Sequence, residues 1–139
     1  MLDRMFTGST EVMTKAMDAL SLRQRAIAEN IANADTPNYK RVEVSYEAQL
    51  HEAATGASGP SLQLRTTMPG QIRIGGPQSL EEFQAQVTRI TGTTMRNDGN
   101  NVDPEAEMAH LAQTNVTYDA LADLMKRRMT LLHSIIRGN

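Results

Sequence analysis

At 139 residues, with 40% hydrophobic but only 4% aromatic side chains, the chain fits one domain whose apolar mass is Leu, Ile, Val, Met and Ala, a composition suited to seams between helices. Its formal net charge of −2 gives no electrostatic reason to expect a nucleic-acid partner, and the absence of cysteine excludes disulfides and thiolate metal sites. No run approaches the roughly 18 apolar residues of a membrane span, and residues 1–12 lack the apolar core and cleavage pattern of a secretory signal, so a soluble protein without membrane insertion is expected, exported, if at all, without a cleaved signal.

Residues 1–40 read as a helix followed by a turn. From about Ser9 to Ala34, Met13, Met17, Leu20, Gln24, Ile27, Ile31 and Ala34 recur in alternating steps of four and three. This is a heptad-type seam with Gln24 as its polar member. Ala16 and Ala28 flank it and are small enough to admit a close neighbour. Thr36-Pro37 ends the helix, because a residue before proline is pushed out of the α region. Asn30, Asn33, Thr36 and Pro37 are expected to build the stop and turn, since Asn and Thr side chains can serve the backbone groups that a terminating helix leaves free.

Residues 41–101 change character. Gly56, Gly59-Pro60, Pro69-Gly70, Gly75-Gly76-Pro77 and Asp98-Gly99 punctuate an irregular segment. Leu62 and Leu64, then Ile72 and Ile74, alternate with polar residues on either side of Pro69-Gly70, which predicts a small β-ribbon, marginal on its own. Ser79-Leu80-Glu81-Glu82 matches a capping box and predicts a short helix presenting Leu80, Phe83 and Val87. The remainder reads as loop. Asp98 to Asp103 briefly resembles a calcium loop, but the fifth position is Val102 and the twelfth is Ala109, where a bidentate Glu is required.

Residues 102–139 predict a second long helix, from Asp103 to Arg137. Asp103 suits the N-cap, Pro104 the first turn, and Glu105 and Glu107 the positive end of the helix dipole. Met108, Leu111, Asn115, Tyr118, Ala122, Met125, Met129, Leu132 and Ile136 recur in steps of three and four. A second stripe runs through Ala109, Ala112, Val116, Ala120, Leu124, Leu131 and Ile135. Two adjacent stripes make a face wide enough for more than one partner helix. The polar pair Gln24 and Asn115 is expected to fix how the helices align. With its second stripe unpartnered, the free subunit is expected to be largely unfolded at its termini and to order on assembly.

Nothing converges toward chemistry. His51, His110 and His133 lie far apart without metal-site spacing, and no P-loop, dinucleotide loop or nucleophile elbow is present. Lys126-Arg127-Arg128 reads as a solvated helix face. No enzyme activity, metal or cofactor is expected. The fold class expected is mainly α, two long terminal helices pairing as a coiled coil around an irregular middle that contains a small β-ribbon.

Ala28 to Lys40, AENIANADTPNYK, resembles the signature A-N-N-I-A-N-x-x-T-P-G-Y-K of the flagellar rod and hook axial family, and includes Tyr39 in the signature turn. Asp98 to Asp103, followed by Glu107-Met108-Ala109, Leu111-Ala112, Tyr118 and Leu121, resembles the proximal rod members of that family. Two positions depart from the signature: Glu29 replaces an Asn, and Asn38 replaces a Gly at a position where Asn is the next most tolerant of a left-handed backbone. The resemblance implies that both termini form one inner-tube domain of a helical homo-oligomer in the basal body, the motor's drive shaft in the periplasmic space. It also implies other rod proteins, the basal adaptor protein FliE and the type III export apparatus as partners. A sibling rod protein at another level is the alternative. A soluble coiled-coil adaptor has no need of N-I-A-N-x-x-T-P-x-Y.

Overall fold

The computed structural model describes residues 2–55, 80–93 and 95–137, with side chains from residue 8 onward. Two long helices dominate, α1 (Leu2–Ala32) and α3 (Pro104–Arg137). At 1.5 Å per residue each spans about 45 to 50 Å. Between them lie strand β1 (Val42–Ser45), helix α2 (Glu47–Thr55) and strand β2 (Gln86–Arg89). The start of α3 follows from its cap: Asp103 Oδ1 accepts hydrogen bonds from the amides of Glu105 at 3.0 Å and Ala106 at 3.4 Å. The long helices run antiparallel, because Asn30 meets Glu107 and Gln24 meets Asn115.

The heptad phase of both helices differs from the apolar reading by one residue at every second seam position. In α1 the buried line runs through Ala16, Leu20, Ile27, Asn30 and Ala34, with Arg23 half-buried between them. Leu20, Ile27 and Ala34 keep their expected places, whereas Met13, Met17, Gln24 and Ile31 are only half-buried. In α3 the line runs through Glu107, Leu111, Thr114, Tyr118, Leu121, Met125 and Leu132. Met108, Met129 and Ile136 are 55%, 42% and 79% exposed, so they lie outside the seam within one chain. Ala28, expected to flank the seam, is exposed. The cause is that the true seam positions include polar residues whose groups are satisfied internally. Thr114 returns its hydroxyl to His110 O at 2.7 Å, and Asn30 and Glu107 serve each other at 3.0 Å.

The described residues of the middle segment form two strands and a helix. β1 and β2 pair antiparallel, with Val42 opposite Arg89 and Val44 opposite Val87. A small ribbon is present, therefore, but from other residues than expected; 62–65 and 71–74 lie outside the described residues. The short helix expected to present Leu80, Phe83 and Val87 is absent among the described residues: Leu80–Glu82 is a turn and Val87 belongs to β2, while Ser79 lies outside them. Cross-strand pairing of Val87 with Val44 and burial of Phe83 outweigh the capping signal. Helix α2 forms from good helix formers around one buried anchor, Leu50, too few apolar residues for a visible stripe. The core lies along α1: Ala16, Ala19, Leu20, Tyr46, Leu50 and Phe83 form one cluster, and Ala26, Val42 and Val44 a second, with Ala85 packed against both.

Candidate functional site

The most concentrated polar structure in the chain is a latch where α1 ends and α3 begins. Asn30 is fully buried, and its carboxamide makes four hydrogen bonds. Nδ2 donates to Val42 O at 2.8 Å and to Glu107 Oε2 at 3.0 Å. Oδ1 accepts from the Val42 amide at 2.9 Å and from the Tyr39 hydroxyl at 3.2 Å. Glu107, only 1% exposed, is held on its other oxygen by Arg41 Nε. Burial pulls the Arg41 guanidinium down, but the hydrogen bond and charge of Glu107 more than reverse this, so its pKa is raised. Burial, then the charge of Glu29, raises the Tyr39 pKa. Removing Arg41 would strand the Glu107 carboxylate in the interior, whereas Arg41 without Glu107 would keep Glu43 as a partner.

The same face of α1 blunts a strand edge. Ile90 N donates to Arg41 O at 2.8 Å, so in the alternation of an antiparallel ladder the backbone groups of Val42 and Val44 point away from β2. Asn30 satisfies both groups of Val42, as a strand partner would. Two helical turns earlier, Arg23 donates to Val44 O through Nε at 3.1 Å and Nη2 at 2.8 Å. Arg23 also lies 4.6 Å over the Tyr46 ring and pairs with Glu47 at 2.7 Å. Helix side chains thereby close an edge that would otherwise invite another strand.

A third part caps the end of α1 from the far side of the sequence. Asn100 is fully buried, and its Nδ2 donates to the carbonyls of Asn33, Ala34 and Thr36 at 3.0, 2.9 and 3.0 Å. These carbonyls belong to the turn that follows α1, where Asn33 O and Thr36 O also accept from the amides of Thr36 and Tyr39. Asn100 Oδ1 accepts from the Val102 amide at 2.8 Å, which sets the approach to α3. Beside it, Asn101 bridges Arg41 N at 2.7 Å and Ile90 O at 2.7 Å. Asn38 takes the left-handed backbone expected of it, with φ 60°, and its amide donates to Asp98 O at 3.0 Å. Gly99 opposite has φ 80°, and a Cβ there would fall 2.6 Å from Asn38 Oδ1.

Of the signature residues, Asn30 and Tyr39 enter the latch. Asn33 donates to Glu29 O at 2.8 Å and accepts from the Thr36 hydroxyl at 3.2 Å, and Pro37 is exposed. Gln24 Nε2 and Asn115 Oδ1 meet at 2.8 Å on the exposed side of the helix pair. Asn100, Asn101, Arg41 and Glu107 escaped the sequence reading as latch residues. Asn100, Asn101 and Glu107 are marked as part of the segments that resemble the proximal rod proteins, and locally Asn100-Asn101 beside a turn is indistinguishable from a solvated loop. Among the described residues no three His, Asp or Glu side chains gather as a metal site requires, and no helix is long and apolar enough to cross a membrane.

Residues 11–40, which hold the α1 half of this latch, match the family model described as flagella basal body rod protein. The flagellar basal body rod protein FlgB of Borrelia hermsii is 32% identical over 95% of this chain and 98% of its own length. The FlgB proteins of Borreliella burgdorferi and Bacillus subtilis are 30% and 28% identical, over 95% and 96% of this chain and 98% and 97% of theirs. The chain belongs to the FlgB family of flagellar basal body rod proteins. Membership makes it a structural subunit of the flagellar basal-body rod, which assembles with other components of that body and serves motility. In FlgB terms the latch ties the family's N-terminal segment, residues 11–40, to the base of α3.

Proposed function

We propose that the chain polymerises through α1 and α3, acting as one inner-tube unit built from residues 1–40 and 102–139, into the proximal rod of the flagellar drive shaft. The observation that carries this reading is the outer face of α3. Val116, Leu124, Leu131 and Ile135 are 70%, 53%, 64% and 69% exposed, outside the seam with α1. An apolar line of this length calls for a protein partner. The latch complements it by fixing the angle at which the two helices leave the β-ribbon, so that every subunit presents the same surface.

The expected partners are further copies of the chain, the other rod proteins and the basal adaptor FliE, reached through the type III export apparatus, with the assembled rod in the periplasmic space. No catalysis is proposed, since the family consists of structural subunits. Crosslinking in purified basal bodies tests the reading. Adducts to FliE and to a second copy are expected. Adducts only to distal rod components would move the chain to another level, and its absence from basal bodies would overturn the assignment.

A further inference from the structure

The two edges of the β-ribbon are treated differently. On β1, Asn30 takes both outward backbone groups of Val42, and Arg23 takes the carbonyl of Val44. On β2, the alternation that pairs Ile90 with Arg41 turns the amides and carbonyls of Val87 and Arg89 away from β1. Among the described residues none of these four groups has a hydrogen-bond partner. Every residue of β2 is exposed, and the strand contains no proline that would blunt its edge.

The side chains repeat the contrast. Residues directly opposite in an antiparallel ladder project to the same face, so Val87 shares the face of Val44. Val44 packs in the cluster with Ala26 and is 3% exposed, whereas Val87 is 54% exposed. Where β2 begins, a groove of about 290 Å³ lies between α1 and residues 83–85, lined by the half-buried Leu22 and Ala85 and by Lys15 and Asp18. Asp18 and Leu22 stand roughly 100° around α1 from Arg23 and Asn30, so the groove flanks the open edge and not the closed one. Arg89, the one charged residue of β2, has no salt bridge among the described residues.

We propose that the open edge of β2 takes up an extended segment of a different protein as a third strand, with an apolar residue beside Val87 and a carboxylate beside Arg89. Four outward main-chain groups call for a strand, since only an extended backbone offers donors and acceptors at that spacing. Val87 and Arg89 supply the selection, and the groove beside Leu22 and Ala85 receives a further side chain where the added strand runs past Gln86. A second copy of β2 fits poorly, because residues 86–90, Gln-Val-Thr-Arg-Ile, bring no carboxylate to Arg89. This contact uses neither seam of the long helices and is independent of the assembly proposed above.

The test uses the full-length chain and a capped peptide, TETVTET, which sets valine beside Val87 and glutamate beside Arg89 in either strand direction. In dilute chain the amides of Val87 and Arg89 are expected to exchange quickly, and to become protected when the peptide is added at millimolar concentration. TKTVTKT should bind roughly tenfold more weakly, and Arg89→Glu should invert that preference. Val87→Pro removes an outward N–H without breaking the ladder to β1, so it should weaken binding roughly tenfold, whereas Val87→Thr, which keeps the N–H, should bind nearly as the parent does. If proline disturbs the ribbon itself, the charge reversal still decides. Equal binding of both peptides by the parent chain, or no protection by either, would overturn the proposal. Amides already slow in dilute chain would show the edge covered within the chain, and protection that appears only as the chain is concentrated would make the occupant a second copy; either result sinks the idea of a different protein.

Discussion

Replacing Asn30 by alanine tests the latch most directly. The change deletes four hydrogen bonds, three of them buried, and leaves the amide and carbonyl of Val42 and one oxygen of Glu107 without their partner. An orphaned buried polar group costs about 1 to 3 kcal/mol, and more when charged. Partial entry of water offsets part of this, so a total of roughly 3 to 5 kcal/mol is expected, against a whole-domain stability of about 5 to 15 kcal/mol. The assay is urea denaturation followed by helical circular dichroism, at a concentration where the protein is monomeric. Asn33→Ala is the internal control, because Asn33 lies in the same signature but makes exposed bonds, to Glu29 O and with Thr36. It should cost less than about 1 kcal/mol. If the two variants lose similar stability, or if Asn30→Ala loses under about 1 kcal/mol, then the latch does not stabilise this fold.

Gly99→Ala should destabilise by more than the roughly 1 to 2 kcal/mol of a left-handed backbone, because its Cβ would also strike Asn38; adding Asn38→Gly should recover part of the loss, and strict additivity in the double-mutant cycle would rule out that clash. Burial raises the Glu47 pKa, but backbone amides and Arg23 pull it back below its usual value, so its contribution is present above the ordinary carboxylate range and lost as pH falls through the lowered pKa. Glu47→Gln should therefore flatten the acid limb of stability between about pH 5 and pH 3, and an unchanged limb would remove Glu47 as its source. Gln24→Leu with Asn115→Leu should leave assemblies at least as stable yet irregular by electron microscopy, whereas well-ordered rods would deny the pair a role in register. Amide exchange in dilute monomer is expected to be fast over 129–137, where most side chains are exposed, and slow beside Asn30 and Glu107, with the fast region becoming protected in rods; uniformly fast exchange along both helices would mean that even the latch forms only on assembly.

Local chemistry alone determined the two long helices. Steps of three and four from Met13 to Ala34 and from Met108 to Ile136 marked them, and Asp103-Pro104 set the start of α3. The signature from Ala28 to Lys40 pointed to the rod family before any contact was visible. What the apolar pattern could not supply was the phase of the seam. It favoured Met108 over Glu107 and Ile31 over Asn30, because a buried polar residue resembles a surface one until its partner is known. Those partners lie far away in the chain: Asn30 is 77 residues from Glu107, and Asn100 is 66 from Ala34. No periodicity connects such positions. The strands were missed for a related reason, since β1 is four residues long and exists only because β2 pairs one edge while Asn30 and Arg23 close the other. Helices were legible because their hydrogen bonds close within four residues. The latch was decided by tertiary structure, because its bonds join groups that only the folded chain brings together in buried or half-buried surroundings, where leaving them unpaired would cost more than placing them there.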